Sequence, residues 1–202
     1  MLTVKICGLT DATAIQTAVD AGADAIGFVF AKSVRQVSPE LACKLAADLP
    51  PHVRKVAVMK NPRPDEWNDV QKIFQPDVLQ TDAEDFDYLR VDASVEFWPV
   101  YREGKSEPRR NKSSCFLYEG KSSGSGETVD WNIAAGFAGY GRMMLAGGLS
   151  AENVGEAISV VRPWGVDVSS AVEATPGRKD PQMIRAFIRA VRNAENTKDV
   201  SV

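Results

Sequence analysis

The sequence predicts a (β/α)8 barrel, and three observations support this fold class. Eight short apolar runs occur along the chain and helix-like segments follow seven of them, which is typical of parallel strands joined by crossover helices. The chain has 202 residues, at the lower end of the range for this fold. The main competitor is a doubly wound open sheet, but the Gly-x-Gly-x-x-Gly turn of that class does not follow the first strand.

In the first half of the chain, β-branched and aromatic residues predict strands over 2–6, 25–30, 54–59 and 78–80. A predicted helix follows each strand, and the fourth helix, over 83–90, is short. The other three helices carry start signals, a capping side chain or a proline in the first turn, at Asp11, Ser38-Pro39 and Pro64. Gly22 lies just past the first helix, where a glycine commonly ends one.

In the second half, strands are predicted over 95–100, 115–118, 143–146 and 165–168. The segment 101–112 is polar and contains Gly104 and Pro108, so we expect the fifth helix to be short or missing. The remaining helices are expected to begin near Asp130, Ser150 and Asp180. No linker divides the chain, so we expect one domain over 1–202, with a disordered tail over 196–202.

The composition is that of an ordinary soluble globular protein, with 44% hydrophobic and 25% charged residues. A net charge of −3 without a basic stripe argues against nucleic-acid binding, and no apolar run approaches the roughly 20 residues of a membrane span. A strand begins almost at the first residue, so we expect no signal peptide. Cys7, Cys43 and Cys115 lack metal-ligand spacing and predict a reduced, cytoplasmic protein without disulfides or a bound metal.

Cys7 lies at the carboxyl end of the first strand, where the chemistry of parallel α/β proteins collects. It is either a reactive thiol or an ordinary buried cysteine that only packs. Alternation along the strand puts Lys5 on the same side as Cys7, one layer deeper. We expect Asp167, near the end of the eighth strand, to pair with Lys5, and the charge of Lys5 to lower the pKa of the thiol.

The loops after the seventh and eighth strands predict a phosphate site. The first contains Gly147 and Gly148, and the second contains Ser169 and Ser170. Barrels bind phosphate with these two loops, and glycine lets the backbone approach the anion closely. The alternative is that the glycines form a simple turn and the serines cap a helix. Because both loops carry suitable residues, we expect a phosphorylated small-molecule substrate.

Two further residues could act on such a substrate. The Gly/Ser-rich segment 120–126 precedes Asp130 and is either a mobile lid that delivers Asp130 as a general acid or a linker before a helix that Asp130 caps. Arg35 either binds a substrate carboxylate through its planar fork or is a solvated surface arginine. The single histidine, His52, falls at the amino end of the third strand, so proton transfer would rest on other side chains.

Taken together, six segments resemble the phosphoribosylanthranilate isomerases of tryptophan biosynthesis. They occur in that family's order and spacing, from residue 5 to about residue 183. The segments are Lys5-Ile6-Cys7-Gly8-Leu9-Thr10, Gly27-Phe28-Val29-Phe30, Val37-Ser38-Pro39-Glu40, Thr128-Val129-Asp130-Trp131, Leu145-Ala146-Gly147-Gly148-Leu149 and Val166-Asp167-Val168-Ser169-Ser170.

The resemblance implies a barrel with a short or absent fifth helix and a cofactor-independent Amadori rearrangement of N-(5'-phosphoribosyl)anthranilate. It implies that Cys7 is the general base and Asp130 the general acid. Arg35 would bind the anthranilate carboxylate, and Asp167 would be a polar residue at the site. The phosphate would be bound by Gly147, Gly148, Ser169 and Ser170.

The sequence departs from the family pattern at Val34, Thr81 and Ala171, where proline, histidine and glycine are usual. Two alternatives therefore stay open. One is another phosphosugar enzyme built on a barrel, and the other is a barrel that binds a phosphorylated ligand without turning it over. Barrels of this type occur as monomers and as dimers, and no large apolar stripe in the sequence decides between the two; we expect a monomer rather than a homodimer.

Overall fold

The computed structural model describes residues 1–111, 114–120 and 128–198. Eight parallel strands form a closed barrel in chain order, which confirms the predicted fold class. The strands are β1 Thr3–Cys7, β2 Ala25–Val29, β3 Arg54–Val58, β4 Val78–Asp82, β5 Glu96–Arg102, β6 Cys115–Glu119, β7 Arg142–Leu145 and β8 Gly165–Val168. The barrel closes where β8 pairs with β1, with Asp167 in register with Lys5.

Six α-helices lie within the described residues. They are α1 Ala12–Ala21, α2 Pro39–Leu45, α3 Pro64–Phe74, α4 Trp131–Phe137, α5 Val154–Val161 and α6 Pro181–Lys198. The predicted start signals of the first three are correct: Asp11 accepts a hydrogen bond from the N–H of Ala14 at 2.8 Å, Ser38 caps α2 in the same way, and Pro64 opens α3. Gly22 ends α1 with a φ of 95°, a left-handed conformation that favours glycine.

Three predicted elements differ in the structure. The helix expected to begin near Ser150 begins at Val154, after the N-cap residue Asn153. The segment 83–90 forms only a 3-10 turn, Ala83–Asp87, instead of a short α-helix. The last helix continues to Lys198, so the first three residues of the predicted tail 196–202 are helical, and the other four lie outside the described residues. Near its end, Arg192 donates to the carbonyl of Leu2 at 2.7 Å and ties α6 to the start of β1. Between β5 and β6 no described residue is helical, as expected.

The core has two layers because strand side chains alternate between the two faces of the sheet. Val4 and Ile6 of β1 belong to the outer layer, which packs between the strands and the helices. Lys5 and Cys7 therefore face the interior of the barrel. That interior is filled mainly by apolar side chains, namely Ala25, Val56, Val78, Trp98, Val100, Cys115, Leu117, Met144 and Ala146.

A small β-hairpin that the sequence analysis did not predict lies between β8 and α6. A 3-10 turn, Ser170–Val172, leads into β9 Glu173–Thr175, which pairs antiparallel with β10 Arg178–Lys179. Gly177, in the connecting turn, has a φ of 83°. A Pro-Gly pair with this glycine conformation is typical of a type II turn. The hairpin brings the side chains of Glu173 and Lys179 together beside the loop that follows β8.

Candidate active site

Cys7 and Lys5 lie side by side on the inner face of β1. A Cβ atom added at Gly27 of the neighbouring strand would lie 3.0 Å from Sγ of Cys7 and 3.2 Å from Cε of Lys5, so both side chains extend across this glycine. Lys5 Nζ donates to Oδ1 of Asp167 at 2.8 Å, and both residues are buried. The pairing that strand alternation predicts is therefore present.

The thiol of Cys7 is a weaker acid in this pocket than in water. Burial raises the pKa of Cys7 above its ordinary value, and the positive charges of Lys5 and Lys179 offset that rise only in part. Lys5 acts in the predicted direction, but desolvation, together with the negative charge of Asp167, outweighs it, so the pKa of Cys7 is raised overall. Burial also acts to lower the pKa of Lys5, yet the carboxylate of Asp167 and the charge at Cys7 raise it overall, so Lys5 stays protonated.

Arg35 is not a solvated surface residue, since only 14% of its side chain is exposed. Its Nε and Nη2 atoms donate to the two carboxylate oxygens of Glu173 at 2.6 and 2.8 Å. This bidentate contact occupies one edge of the guanidinium and leaves the edge that carries Nη1 for another acceptor. Arg35 can therefore bind a second carboxylate while Glu173 continues to hold it.

Gly8 is the point at which the loops after β1, β2 and β8 meet. A Cβ atom here would lie 2.6 Å from Cδ of Arg35 and 3.2 Å from Oγ of Ser169, and the φ of 74° also disfavours any side chain. Ser169 Oγ donates to the carbonyl oxygen of Cys7 at 3.1 Å. Lys179 Nζ donates to the carbonyl oxygen of Ser169 at 2.9 Å. Direct contacts thus join the ends of the first and eighth strands to the loop that carries Arg35.

The ionised carboxylate of Glu173 makes the stability of the fold sensitive to acid. Burial opposes its ionisation, but hydrogen bonds from Arg35 and Lys179 outweigh that effect and lower the pKa of Glu173 to about 2. Because the unfolded-state pKa is about 4.3, this stabilisation is complete above that pH and is lost as the pH falls towards 2. The difference between the two pKa values corresponds to on the order of 3 kcal/mol.

We therefore expect Glu173→Gln to be less stable than the wild type at pH 7, with a difference in unfolding free energy that shrinks between about pH 5 and pH 2. Urea unfolding followed by circular dichroism at several pH values measures this difference. The exposed Glu107, changed to glutamine, is the matched control and should show little effect at any pH. A Glu173→Gln deficit that stays constant across this range would contradict the assignment.

The two predicted phosphate loops follow neighbouring strands, β7 and β8. Gly147 and Gly148 have φ values of 86° and 64°, so both are in the left-handed region, and the carbonyl of Gly148 accepts a hydrogen bond from Asn153 at 2.8 Å. Ser169 precedes the 3-10 turn without capping it through its side chain. Within the described part of the chain, no group accepts a hydrogen bond from the backbone amides of Gly147, Gly148, Ser169 or Ser170. These four amides are available to an anion.

Asp130 caps α4 at the carboxyl end of the barrel. Its Oδ1 accepts hydrogen bonds from the N–H groups of Asn132 and Ile133 at 2.8 and 3.3 Å, and its own N–H donates to Glu103 at 2.9 Å. The predicted cap is therefore correct, and the exposed carboxylate keeps its second oxygen, Oδ2, outside the cap. Apart from Gly120, the segment 120–126 predicted as a lid lies outside the described residues.

The predicted site residues thus fall into two groups. Cys7, Arg35, Asp167 and Ser169 belong to one set of neighbouring contacts around β1 and β8. Asp130 and the Gly147 loop follow β6 and β7 at the same end of the barrel, and in the ranges that the structure describes no hydrogen bond joins them to the first group.

Two groups of charged residues escaped the sequence analysis. Glu173 and Lys179 could have been found from the Pro176-Gly177 pair, because a tight hairpin turn predicts that its two arms meet. The second group lies at the ends of β4, β5 and β6, where Arg102 pairs with Asp82 and lies 2.8 Å from Glu119. Alternation along these three strands would have predicted inward-facing side chains at these positions.

Among residues 1–111, 114–120 and 128–198, no helix combines the length and the apolar character that a membrane span requires. The same ranges contain no group of three or more His, Cys, Asp or Glu side chains that could hold a metal ion.

Comparison with known proteins identifies the family. The family model described as N-(5'phosphoribosyl)anthranilate (PRA) isomerase matches residues 4–190. An N-(5'-phosphoribosyl)anthranilate isomerase of Pelobacter propionicus is 39% identical over 97% of this chain and 98% of its own length. A solved phosphoribosyl anthranilate isomerase bound to reduced 1-(o-carboxyphenylamino)-1-deoxyribulose 5-phosphate is 33% identical, with a TM-score of 0.80 over 96% of this chain and 100% of that one.

A second solved relative is a monomeric form of the dimeric phosphoribosylanthranilate isomerase of Thermotoga maritima. It is 31% identical, with a TM-score of 0.77 over 96% of this chain and 100% of that one. The family model, the near-complete sequence match and the shared barrel agree with one another. The chain belongs to the N-(5'-phosphoribosyl)anthranilate isomerase family.

Proposed function

We propose that Cys7 and Asp130 are the proton-transfer groups of this isomerase. The chain catalyses the isomerase step of tryptophan biosynthesis, in which N-(5'-phosphoribosyl)anthranilate becomes 1-(2-carboxyphenylamino)-1-deoxyribulose 5-phosphate. The reaction is an internal redox shift of an aldose derivative to a ketose derivative, so it needs an acid and a base but no cofactor. Two side chains on different walls of one barrel can supply both.

Asp130 is the proposed general acid. Its carboxyl group donates a proton to the ring oxygen of the ribose, the C1'–O bond breaks, and the furanose opens to a protonated Schiff base. An exposed carboxylate that follows β6 supports this role, because it is accessible from the mouth of the barrel. Since only Oδ1 serves the helix cap, Oδ2 can carry the proton while the cap remains in place.

Cys7 is the proposed general base. Its thiolate removes the proton from C2', the electrons move into the C1'–C2' bond, and the resulting enolamine tautomerises to the ketone. The positive charges of Lys5 and Lys179 favour the thiolate, although burial keeps the pKa of the thiol raised. Asp167 acts beneath the thiol by holding Lys5 in position at 2.8 Å.

Two anchors would hold the substrate across this acid and base. The free edge of Arg35 is proposed to bind the anthranilate carboxylate, and the amides of Gly147, Gly148, Ser169 and Ser170 are proposed to bind the phosphate. Fixing both ends of the substrate supplies orientation, which is a large part of the rate gain available to an enzyme.

The observation that carries the assignment of the base and of the two substrate anchors is the cluster at Gly8, where Cys7, Arg35 and Ser169 meet. A fluorescence assay tests the proposal. Phosphoribosylanthranilate is generated in situ, the protein is added, and the decay of the substrate is compared with its spontaneous rate. We expect rapid decay with the wild-type protein. Binding of a product analogue without any acceleration would favour the alternative of a ligand-binding barrel without turnover.

We further propose that the chain is a monomer. Its exposed large apolar side chains are spread over separate elements around the barrel, as in Leu41 of α2, Phe97 of β5, Ile133 of α4 and Met183 of α6. Light scattering during size-exclusion chromatography should give the molar mass of one chain. The mass of two chains would mean that this protein shares the dimeric state of its Thermotoga maritima relative.

A further inference from the structure

Glu173 contacts groups that belong to both ends of the proposed substrate site. Its oxygens accept hydrogen bonds from Arg35 at 2.6 and 2.8 Å, and one of them also accepts from Lys179 Nζ at 2.7 Å. The N–H of Gly177 donates to the other oxygen at 3.1 Å. Only 4% of the Glu173 side chain is exposed, so this carboxylate accepts hydrogen bonds from protein groups rather than from water.

Lys179 carries the connection from Glu173 to the phosphate loop. Its ammonium is fully buried and donates to Glu173 Oε1, to the carbonyl of Ser169 at 2.9 Å and to Oγ of Ser169 at 3.3 Å. An ammonium has three N–H groups, and these three contacts use all of them. Lys179 is therefore placed to fix the backbone of Ser169 rather than to bind a ligand directly.

A carboxylate is the group that this position requires. Arg35 and Lys179 are both cationic, and a buried cation without a partner is strongly destabilising. A glutamine would offer one oxygen and one NH2 group, and the NH2 group would point at a cation. The bidentate contact with Arg35 also fixes the plane of the guanidinium, which sets the direction of its free edge.

We propose that Glu173 is a positioning residue that sets the spacing between the carboxylate-binding edge of Arg35 and the phosphate-binding loop at Ser169. This inference rests on the proposed function, because it takes Arg35 and Ser169 as the two anchors of one substrate. Glu173 touches neither the substrate nor the reacting atoms in this assignment. It acts by holding one anchor through Arg35 and the other through Lys179.

Two fragments of the substrate test the proposal without any need for turnover. Anthranilate reports the Arg35 anchor and inorganic phosphate reports the Ser169 loop, and NMR titration gives a dissociation constant for each. We expect Glu173→Gln to weaken the binding of both fragments by about tenfold, the size of a lost charge-assisted hydrogen bond. Arg35→Ala should weaken anthranilate alone, and Lys179→Met should weaken phosphate alone.

The sign of the effect separates positioning from simple electrostatics. Removal of a negative charge near two anion sites would by itself strengthen the binding of both anions. Weaker binding of both fragments is therefore the signature of lost positioning, and stronger or unchanged binding of either one would overturn the proposal.

Glu173→Asp is a second variant for the case that Glu173→Gln does not fold. It keeps the negative charge, but its side chain is too short to reach both Arg35 and Lys179, so it should also weaken the binding of both fragments. Glu107→Gln is the matched surface control and should change neither constant. If the wild type binds both fragments but does not isomerise the substrate, the proposed function is wrong. The effect of the Glu173 variants on the two dissociation constants can still be measured in that case.

Discussion

Cys7→Ala should lower kcat by at least about 10²-fold, the usual cost of removing a general acid or base. The methyl group cannot accept the C2' proton, whereas Arg35 and the phosphate loops remain as they are, so the binding of a product analogue should change little. The Lys5–Asp167 pair also remains, which limits the damage to the fold. Fluorescence decay under saturating substrate measures kcat, and calorimetry measures binding of the analogue.

The pH dependence gives this prediction a second readout. A base must be deprotonated to act, and burial raises the pKa of Cys7. We therefore expect kcat/KM to rise with pH, with the midpoint of the rise above the ordinary thiol pKa of about 8.5. Lys5→Met removes a charge that favours the thiolate and should move this limb to still higher pH. Near-normal turnover in Cys7→Ala, or a limb that Lys5→Met leaves in place, would assign the base to another group.

Asp130→Asn should lower kcat by at least about 10²-fold, nearly as much as Cys7→Ala, without lowering the stability of the fold. The reason is that asparagine caps helices about as well as aspartate, so the hydrogen bonds to Asn132 and Ile133 persist while the acidic proton is lost. Asp130→Ala should lose both the cap and the acid. Turnover and urea unfolding, measured on both variants, separate the two contributions.

Asp11→Asn is the matched control for this experiment. Asp11 also caps a helix at the carboxyl end of the barrel, through a 2.8 Å hydrogen bond from Ala14, but no role in proton transfer is proposed for it. Its variant should keep both turnover and stability. If Asp130→Asn behaves like Asp11→Asn, Asp130 is a helix cap and nothing more.

Much of the barrel and one part of the site follow from local rules that act along the sequence. Alternation in β1 puts Lys5 and Cys7 on one face, and the closure of a barrel makes the eighth strand the neighbour of the first. Together these rules predict the contact of Lys5 with Asp167, although 162 residues separate them. Helix starts at Asp11, Ser38 and Pro64 were predictable because a capping side chain or proline acts within one turn.

The fourth helix was predicted wrongly because a distant contact overrides local propensity. Asp85 is almost fully buried and accepts hydrogen bonds from the N–H of Asn61 at 3.0 Å and the hydroxyl of Tyr88 at 2.9 Å, and also from Thr81. These contacts turn the chain after Asp87, and Tyr88 leaves the helical conformation. Glu173 was unassigned for a similar reason, since its partner Arg35 lies 138 residues away and no sequence pattern links the two.

The closure of β8 onto β1 also has a consequence for how this enzyme is made. Ser169 donates a hydrogen bond to the carbonyl oxygen of Cys7, and Asp167 accepts one from Lys5. In each pair the two residues are 162 positions apart, so Cys7 and Lys5 are synthesised well before their partners. Contacts between residues so far apart in sequence form slowly, because the entropy cost of ordering the intervening chain comes before the contact stabilises it. The pocket around the proposed base Cys7 is therefore not assembled until the eighth strand has left the ribosome and paired with the first.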